Sequence, residues 1–332
     1  MHGGAERSLI EALARRLPAC GPRVLTGPGD DTAVVLARPV SFTSVDTVVE
    51  DVHFRLGEGR FSHADVGFKA LASALSDMAA MGVQAGEAYV VLGASPGLTQ
   101  EQALSLIDGV CEIATEAAVC VAGGDVVRSP VLSLCVTVVG WADSAQSAVY
   151  RSGAVAGDLV GVTGTLGGAG AGVALMDGRI ALPQDLAAHV LSRARRPQPR
   201  LAQGLALAGA GARAMIDISD GLATDAGHIG RASGLTLEID LSLLPLDTGV
   251  EQAAAQLDLE PWRLAATGGE DYELCFCAAP ERRAEIERAL GGAGEVSVSW
   301  IGEVLAGAET EPGARFRSEA GPVQMSGFEH RW

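Results

Sequence analysis

The chain alternates between short apolar segments and longer segments with helical spacing, which together predict a mixture of strands and helices. Predicted strands occupy residues 33–36, 41–45, 89–92, 119–122, 131–141, 158–163, 214–218, 235–241, 274–278 and 296–304. Predicted helices occupy residues 8–17, 69–82, 99–118, 201–208, 222–232 and 281–290. Because strands and helices do not alternate strictly, the pattern favours an α+β fold over a doubly wound parallel sheet.

The predicted helix at residues 69–82 is apolar or small around its whole circumference, which is typical of a buried helix. Its Ala, Leu and Met residues favour the helix, and Gly82 is expected to end it. Asp77 lies near the C-terminal end, where the helix dipole disfavours a carboxylate. A buried carboxylate is costly unless it is paired or binds a metal ion. Asp77 is therefore either a helix-end residue that reaches solvent or part of a cation site.

A polar, turn-rich segment at residues 143–157 is the best candidate for a domain boundary. The pattern of strands and helices restarts after it, and 332 residues suffice for two domains of ordinary size. We therefore predict an N-terminal domain at residues 1–142 and a C-terminal domain at residues 150–332.

The net charge is −17 and the pI is near 4.7. Such acidity argues against nucleic acid and anionic membranes as partners. An anionic substrate could bind only where arginines or divalent cations reverse the local charge. The sequence contains no apolar run of membrane-spanning length and no signal-peptide pattern, so we expect a cytoplasmic protein.

The six cysteines contain no C-x-x-C pair and do not cluster with the six histidines, which argues against a zinc site. They are interpreted as reduced, mostly buried thiols. Cys275 and Cys277 alternate within an apolar segment, which predicts that both lie on one face of a strand.

Short acidic motifs recur along the chain, most of them beside Gly or Ser at predicted strand or helix ends. The carboxylates are those of Asp30, Asp46, Asp77, Asp125, Asp217 and Asp220. Each alone is more often a capping or turn residue, but their number favours a shared role. Carboxylates without His or Cys partners suit Mg²⁺, which prefers oxygen ligands and retains waters and substrate phosphates. The pattern predicts several Mg²⁺ ions and, through them, a bound polyphosphate.

The common nucleotide-binding motifs are missing from the sequence. There is no P-loop, and Lys69, the only lysine, precedes the apolar helix and does not follow glycines. The glycine run at residues 164–172 does not match G-x-G-x-x-G. It predicts either a tight turn with close helix packing or a phosphate contact, and the sequence favours neither.

Taken together, the motifs resemble those of the thiamine-monophosphate kinase family, in the same order and over nearly the whole chain. They are Gly29-Asp-Asp31, Ser44-Val-Asp46 with Glu50 and His53-Phe54, Lys69 to Gly82, Gly123-Gly-Asp125, Arg151-Ser-Gly153, Asp217 to Leu222, and Gly268-Gly-Glu-Asp-Tyr-Glu-Leu274. The resemblance implies two mixed α/β domains of the aminoimidazole ribonucleotide synthetase-like type. It also implies a homodimer through the N-terminal domain sheet.

By this resemblance the protein phosphorylates thiamine monophosphate with ATP and makes thiamine diphosphate. The N-terminal domain would bind Mg²⁺ and ATP, and the C-terminal domain would complete the nucleotide and substrate site. The implied metal ligands are Asp30, Ser44, the main chain of Val45, Asp46, Asp77, Asp125, Asp217 and Asp220. The implied ATP contacts are Gly124, Arg151 and Ser219. The implied substrate contacts are His53, Glu270 and Phe328. No residue is expected to act as a covalent nucleophile or general base, because the acceptor phosphate is already ionised.

Two departures from the family pattern concern the nucleotide. Val126 and Val127 follow Asp125 where the family often has two threonines, and Ile107 occupies the place of a helix tyrosine. The alternatives left open are another ATP-dependent enzyme of the same superfamily, of the ligase or dehydratase type, and a non-catalytic sensor of Mg-nucleotide.

Overall fold

The computed structural model describes residues 3–306 and 311–328. The chain divides into two compact units. Met1–Met78 with Gln84–Ala145 form the first unit, and Ala79–Val83 with Gln146–Trp332 form the second. The division after Ala145 falls inside the polar segment at residues 143–157.

The helices follow the chain in the order α1 Gly3–Ala14, α2 His63–Met81, α3 Gln100–Glu116, α4 Gly168–Met176, α5 Gln184–Arg195, α6 Leu201–Gly209, α7 Leu222–Ser233, α8 Val250–Gln256, α9 Pro261–Thr267 and α10 Arg283–Gly292. The strands are β1 Val24–Thr26, β2 Val34–Val35, β3 Val40–Val49, β4 Ala85–Ala94, β5 Cys120–Arg128, β6 Ser133–Ala142, β7 Leu159–Thr163, β8 Ala214–Asp217, β9 Thr236–Asp240, β10 Leu274–Ala278, β11 Val298–Leu305, β12 Gly313–Ser318 and β13 Gly321–Val323.

The first unit is built on a sheet in the order β3-β6-β4-β5, in which only the β4–β5 pair among these strands is parallel. Alternate residues of β6 are buried, Val136 and Val138 completely. Helices α2 and α3 cross closely, because Gly67 faces a carbonyl of α3 where any Cβ would collide. Helix α2 is buried and ends at Gly82 with φ +62°, which confirms both predictions for this segment.

The second unit is built on a sheet in the order β13-β12-β9-β11-β7-β10-β8. Most of its pairings are antiparallel, and β12 pairs with β9 in parallel. Strand β10 contributes Cys275 and Cys277 to one hydrophobic core and Leu274 and Phe276 to another. Both faces of this sheet are therefore covered, and the predicted placement of the two cysteines on one face is confirmed. The mixed pairing confirms the α+β fold.

Several element boundaries differ from the sequence prediction. Strands β3 and β5 are longer than predicted, so Asp46 and Asp125 lie inside strands and not at their ends. The glycine pair before Asp125 suggested a turn, but pairing with β4 holds it extended. Helices α5, α8 and α9 were not predicted from the sequence. Residues 193–200 are basic and interrupted by prolines, a composition that predicts a loop. In the structure Arg193 and Arg195 form the last turn of α5, where the helix dipole favours cations.

The expectation of six reduced cysteines is wrong for two of them, because Cys20 and Cys120 form a disulfide. The other four are free, and Cys275 and Cys277 are completely buried. The two paired residues are 100 positions apart, and only the fold brings the segment before β1 against the start of β5.

Within the described part of the chain, no helix combines the length and the apolar character needed to cross a membrane.

Candidate active site

In the first unit, strand β3 and helix α2 bring three of the predicted metal ligands together. The Ser44 hydroxyl donates a hydrogen bond to Oδ2 of Asp77, whose side chain is half-buried. Asp46 lies two residues further along β3, and alternate residues of a strand share a face. Asp77 therefore lies against the face of β3 that also carries Asp46.

Asp125 and Asp30 lie elsewhere in the same unit. In the register of the sheet, Asp46 pairs with Val136 of β6, Val136 pairs with Val90 of β4, and Val90 pairs with Gly124 of β5. Asp125 is thus about three strand spacings from Asp46, on the order of 14 Å across the sheet. Asp30 is exposed in the turn between β1 and β2. At this separation Asp125 cannot share one ion directly with Asp46.

The spacing of the predicted carboxylates decides which metal ion they fit. Among the described residues, no group of three or more His, Cys, Asp or Glu side chains lies close enough together to hold a metal ion. Such a group is needed for zinc or calcium, but Mg²⁺ is usually held by one or two carboxylates together with waters and substrate phosphates. The pair formed by Ser44 and Asp77 therefore fits Mg²⁺ with a phosphate ligand better than it fits a site made of protein ligands alone.

His53 is held in a defined orientation by the main chain. Its Nδ1 accepts the N–H of Val49 at 3.1 Å, so the neutral ring carries its proton on Nε2. The carbonyl of His53 accepts a hydrogen bond from Nζ of Lys69 at 3.2 Å, and Lys69 is 1% exposed. The lysine ammonium also lies 5.1 Å from the centre of the Phe61 ring. The single lysine thus supports the turn that carries His53.

A cavity of about 130 Å³ lies beside Asp125 in the first unit. Its lining includes Gly124 and Asp125 together with apolar side chains, among them Leu106, Ile107 and Val126. The two departures from the family pattern, Ile107 and Val126, thus line the same cavity. Ile107 and Val126 make the cavity apolar, and the Asp125 carboxylate lies at one side of it.

In the second unit, main-chain hydrogen bonds bring three distant segments together. Ser219 accepts the N–H of Glu270 at 2.7 Å through its carbonyl, and Asp220 accepts the N–H of Phe328 at 2.9 Å. The N–H of Gly327 bonds to the Thr224 hydroxyl at 2.8 Å. The fold therefore assembles Ser219, Asp220, Glu270 and Phe328 from three separate segments of the chain.

The carboxylates at this place are crowded. Asp217 and Asp225 are almost completely buried, and Asp225 accepts the N–H groups of Asp220 and Gly221. Burial, followed by the nearby charges of Asp217 and Asp220, raises the pKa of Asp225 to about 8. A cation bound here would relieve this repulsion. Asp225 was not among the predicted site residues, although its spacing after Asp220 within one acidic helix start was visible in the sequence.

Arg151 is exposed, and its carbonyl lies 3.5 Å from the Ser233 hydroxyl on α7. Burial lowers the pKa of His228, the charges of Arg231 and Arg151 lower it as well, and Asp220 raises it. Arg151 and Asp220 therefore both lie within electrostatic range of one histidine on α7.

The three acidic residues of the motif at residues 268–274 differ in burial. Glu270 is partly exposed, whereas Asp271 and Glu273 are 1% and 0% exposed. Asp271 accepts the N–H groups of Gly167 and Ala169 at 2.7 and 3.3 Å, so it caps the start of α4. Burial raises the pKa of Asp271 to about 7, against the lowering effect of Arg193 and these two bonds. Asp271 and Glu273 were not among the predicted site residues. Their alternation with Glu270 and Tyr272 in the sequence could have suggested that they are buried and support the motif.

The glycine run at residues 164–172 packs against buried carboxylates and main chain. A Cβ at Gly164 would collide with the Glu273 carboxylate, and one at Gly172 would collide with the carbonyl of Val190. A Cβ at Gly170 would lie 2.9 Å from Cα of Gly268. Of the two readings of this run, the structure supports close packing, because a protein carboxylate already occupies the N–H groups at the helix start.

Comparison with known proteins identifies the family. The model of the AIR synthase related protein, N-terminal domain, matches residues 29–142, and that of the C-terminal domain matches residues 155–314. The thiamine-monophosphate kinase of Mycobacterium tuberculosis is 38% identical over 307 residues, which cover 90% of this chain and 89% of the relative.

Two solved structures have the same architecture. The thiamine-monophosphate kinase of Stenotrophomonas maltophilia has a TM-score of 0.81 and 30% identity, over 97% of this chain and 98% of that one. AaThiL complexed with AMPPCP and TMP has a TM-score of 0.76 and 28% identity, over 88% of this chain and 87% of that one. The chain therefore belongs to the AIR synthase related proteins and, among them, to the thiamine-monophosphate kinase family.

Proposed function

We propose that this chain transfers the γ-phosphoryl group of ATP to the phosphate of thiamine monophosphate, giving thiamine diphosphate and ADP. The observation that carries the proposal is the assembly of Ser219, Asp220, Glu270 and Phe328 in one place of the second unit. It occurs in a chain whose relatives are thiamine-monophosphate kinases, one of them solved with AMPPCP and TMP.

Thiamine monophosphate combines a cationic thiazolium, a flat pyrimidine and a phosphate, and the proposed contacts match these parts. The Glu270 carboxylate suits the cationic ring. The ring of Phe328, which is 52% exposed, suits stacking on a flat heterocycle. In the first unit, His53 with its proton on Nε2 suits a phosphate oxygen.

For the nucleotide, we propose contacts with Gly124, Arg151 and Ser219, and we propose the apolar cavity beside Asp125 as the place of the adenine. Ile107 and Val126 offer this cavity no hydroxyl, so adenine recognition would depend on apolar packing and main-chain groups.

We also propose Mg²⁺ as the cofactor. In the first unit, Ser44, Asp46, Asp77 and the main chain of Val45 would hold one ion, and Asp30 and Asp125 would serve further ions. In the second unit, Asp217 and Asp220 would hold another. When bound, the ion neutralises the phosphate charges and aligns donor and acceptor, which is most of what phosphoryl transfer requires. The protein needs neither a nucleophile nor a general base, because the acceptor oxygen of a phosphate is already ionised near neutral pH. The ligase, dehydratase and sensor alternatives receive no support from these relatives.

The reaction is tested by chromatography of the products formed from ATP and thiamine monophosphate. We expect thiamine diphosphate and ADP in equal amounts. Free phosphate without thiamine diphosphate, or a preference for unphosphorylated thiamine, would contradict the proposal. A phosphoenzyme trapped with ATP alone would contradict direct transfer.

The substrate assignment is tested by Phe328→Ala. Loss of one aromatic contact, worth about 0.5–1.5 kcal/mol beyond buried area, should raise KM for thiamine monophosphate about 2- to 13-fold. KM for ATP should stay within about twofold, because the ring is not assigned to the nucleotide. Leu243→Ala is the matched control, since Leu243 is also 52% exposed in the same unit. Equal rises in both KM values would contradict the assignment.

We further propose that the chain forms a homodimer through the outer face of the β3-β6-β4-β5 sheet. That face carries Val45 and Val127, which are 63% and 45% exposed in the single chain. Sedimentation is expected to give about twice the chain mass of 33.9 kDa, and Val127→Glu should shift the protein towards the monomer. A wild-type monomer at micromolar concentration would contradict the proposed homodimer.

A cytoplasmic location belongs to the proposed function, because ATP is a cytoplasmic metabolite.

A further inference from the structure

The turn that carries Glu270 has an unusual backbone. Glu270 and Tyr272 both lie in the left-handed region, with φ +58° and +51°, although neither is glycine. Non-glycine residues hold this conformation only where the surrounding structure imposes it. The geometry of Glu270 therefore depends on the groups that fix its neighbours.

Part of this support comes from the main chain. The N–H of Glu270 bonds to the Ser219 carbonyl at 2.7 Å, and the N–H of Tyr272 bonds to the Ile218 carbonyl at 2.9 Å. The N–H of Ile218 in turn bonds to the carbonyl of Glu273 at 2.8 Å. These bonds tie the main chain of the turn to the loop of Asp217 and Asp220.

The remaining support comes from a buried ion network around Glu273. Its Oε2 accepts hydrogen bonds from Nε of Arg200 at 2.7 Å and from the Thr163 hydroxyl at 2.8 Å. Its Oε1 accepts from Nη2 of Arg200 and, at 3.2 Å, from Nη2 of Arg193. Arg200 thus grips the carboxylate with two parallel bonds, a geometry that lysine cannot reproduce.

Arg193 connects this grip to the neighbouring elements. Nε of Arg193 lies 2.8 Å from Oδ2 of the buried Asp247, and its Nη2 donates a hydrogen bond to the Thr165 carbonyl at 3.1 Å. The Asp271 carboxylate is anchored on the start of α4 at the same time. Asp271 and Glu273 are therefore both locked inside the protein, whereas Glu270 in the same turn remains partly exposed.

We propose that Arg200 is a positioning residue for the substrate: through Glu273 it sets the orientation of Glu270 and hence the affinity for the cationic ring of thiamine monophosphate. This inference rests on the proposed function. Arg200 itself makes no contact with substrate in this proposal. Its role therefore differs from that of Arg151, which is proposed to contact ATP.

The test is a double-mutant cycle with Arg200→Lys and Glu270→Gln, measured as KM for each substrate and kcat. Arg200→Lys keeps the charge and loses the bidentate grip, so we expect KM for thiamine monophosphate to rise about tenfold. KM for ATP should stay within about twofold. In the Glu270→Gln background, Arg200→Lys should change KM for thiamine monophosphate less than about twofold, because the group it positions is already altered.

Arg213→Lys is the matched control. Nη1 of Arg213 lies 2.6 Å from the buried Asp158, at the opposite ends of β8 and β7 from Asp217 and Thr163. It should lower thermal stability without changing KM. If Arg200→Lys does not fold, Thr163→Val replaces it, because this change keeps both arginines and removes one hydrogen bond to Glu273, together with the acceptor of the Leu274 N–H. A rise of about threefold in KM for thiamine monophosphate is then expected, again lost in the Glu270→Gln background.

Additive effects of the two substitutions, or an equal rise in KM for ATP, would overturn the positioning role in an active protein. A folded wild-type protein that forms no thiamine diphosphate would instead refute the proposed function, and the inference with it.

Discussion

Asp77→Asn is expected to abolish turnover of a folded protein. The substitution keeps the side-chain volume and one acceptor oxygen for the Ser44 hydroxyl, but it removes the negative charge next to β3. Loss of one preorganised electrostatic contact in an active site typically costs about 10²–10³ in kcat, or about 2.7–4 kcal/mol. Circular dichroism and thermal unfolding should remain close to those of the wild type, because Asp77 is only half-buried and its hydrogen bond is with the uncharged Ser44 hydroxyl.

The control for this experiment is Asp143→Asn in the same unit. Asp143 forms an exposed pair with Arg38 at 3.3 Å, and such surface pairs contribute little. Its kcat should therefore stay within about twofold of the wild type. Near-normal activity of folded Asp77→Asn at modest Mg²⁺ would show that Asp77 is a structural helix-end carboxylate.

Removal of divalent cations is expected to abolish turnover and to weaken ATP binding strongly. ATP is a polyanion, the chain has a net charge of −17, and the only lysine is buried beneath the His53 turn. Each charge-assisted contact that is lost is worth about 1.5–3 kcal/mol, so ATP affinity should fall by at least about tenfold. Calorimetric titration of ATP with Mg²⁺ and with chelator measures the difference.

The control titration replaces Mg²⁺ by NaCl at the same ionic strength, because salt alone screens repulsion between exposed charges. Restored binding in NaCl, or equal affinities with and without Mg²⁺, would contradict metal-bridged phosphates. Full recovery of affinity on adding Mg²⁺ back is the expected result.

Local features of the chain were readable without the fold. Helix α2 followed from its composition and Gly82, because helix propensity and a left-handed C-terminal glycine act within a few residues. The start of α3 at Thr99 followed for the same reason, and Thr99 and Gln102 form the capping box. The acidic motifs were equally visible, since each is contiguous in sequence.

Other features depended on partners that are distant in sequence. The length of β3 and β5 placed Asp46 and Asp125 within strands, because sheet pairing overrides the turn preference of glycine and aspartate. Cys20 and Cys120 are unremarkable alone and meet only because the fold joins them.

The residue chemistry of the chain thus sufficed to predict the family and most of the secondary structure, because those properties reside in short contiguous motifs. The different roles of the three carboxylates within residues 268–274 could not be predicted from the sequence. Glu270, Asp271 and Glu273 are similar carboxylates in sequence, and their roles differ because Arg193, Arg200 and the start of α4 capture two of them. Which carboxylate stays partly exposed depends on partners that only the tertiary structure supplies, because a buried carboxylate is costly unless it is paired.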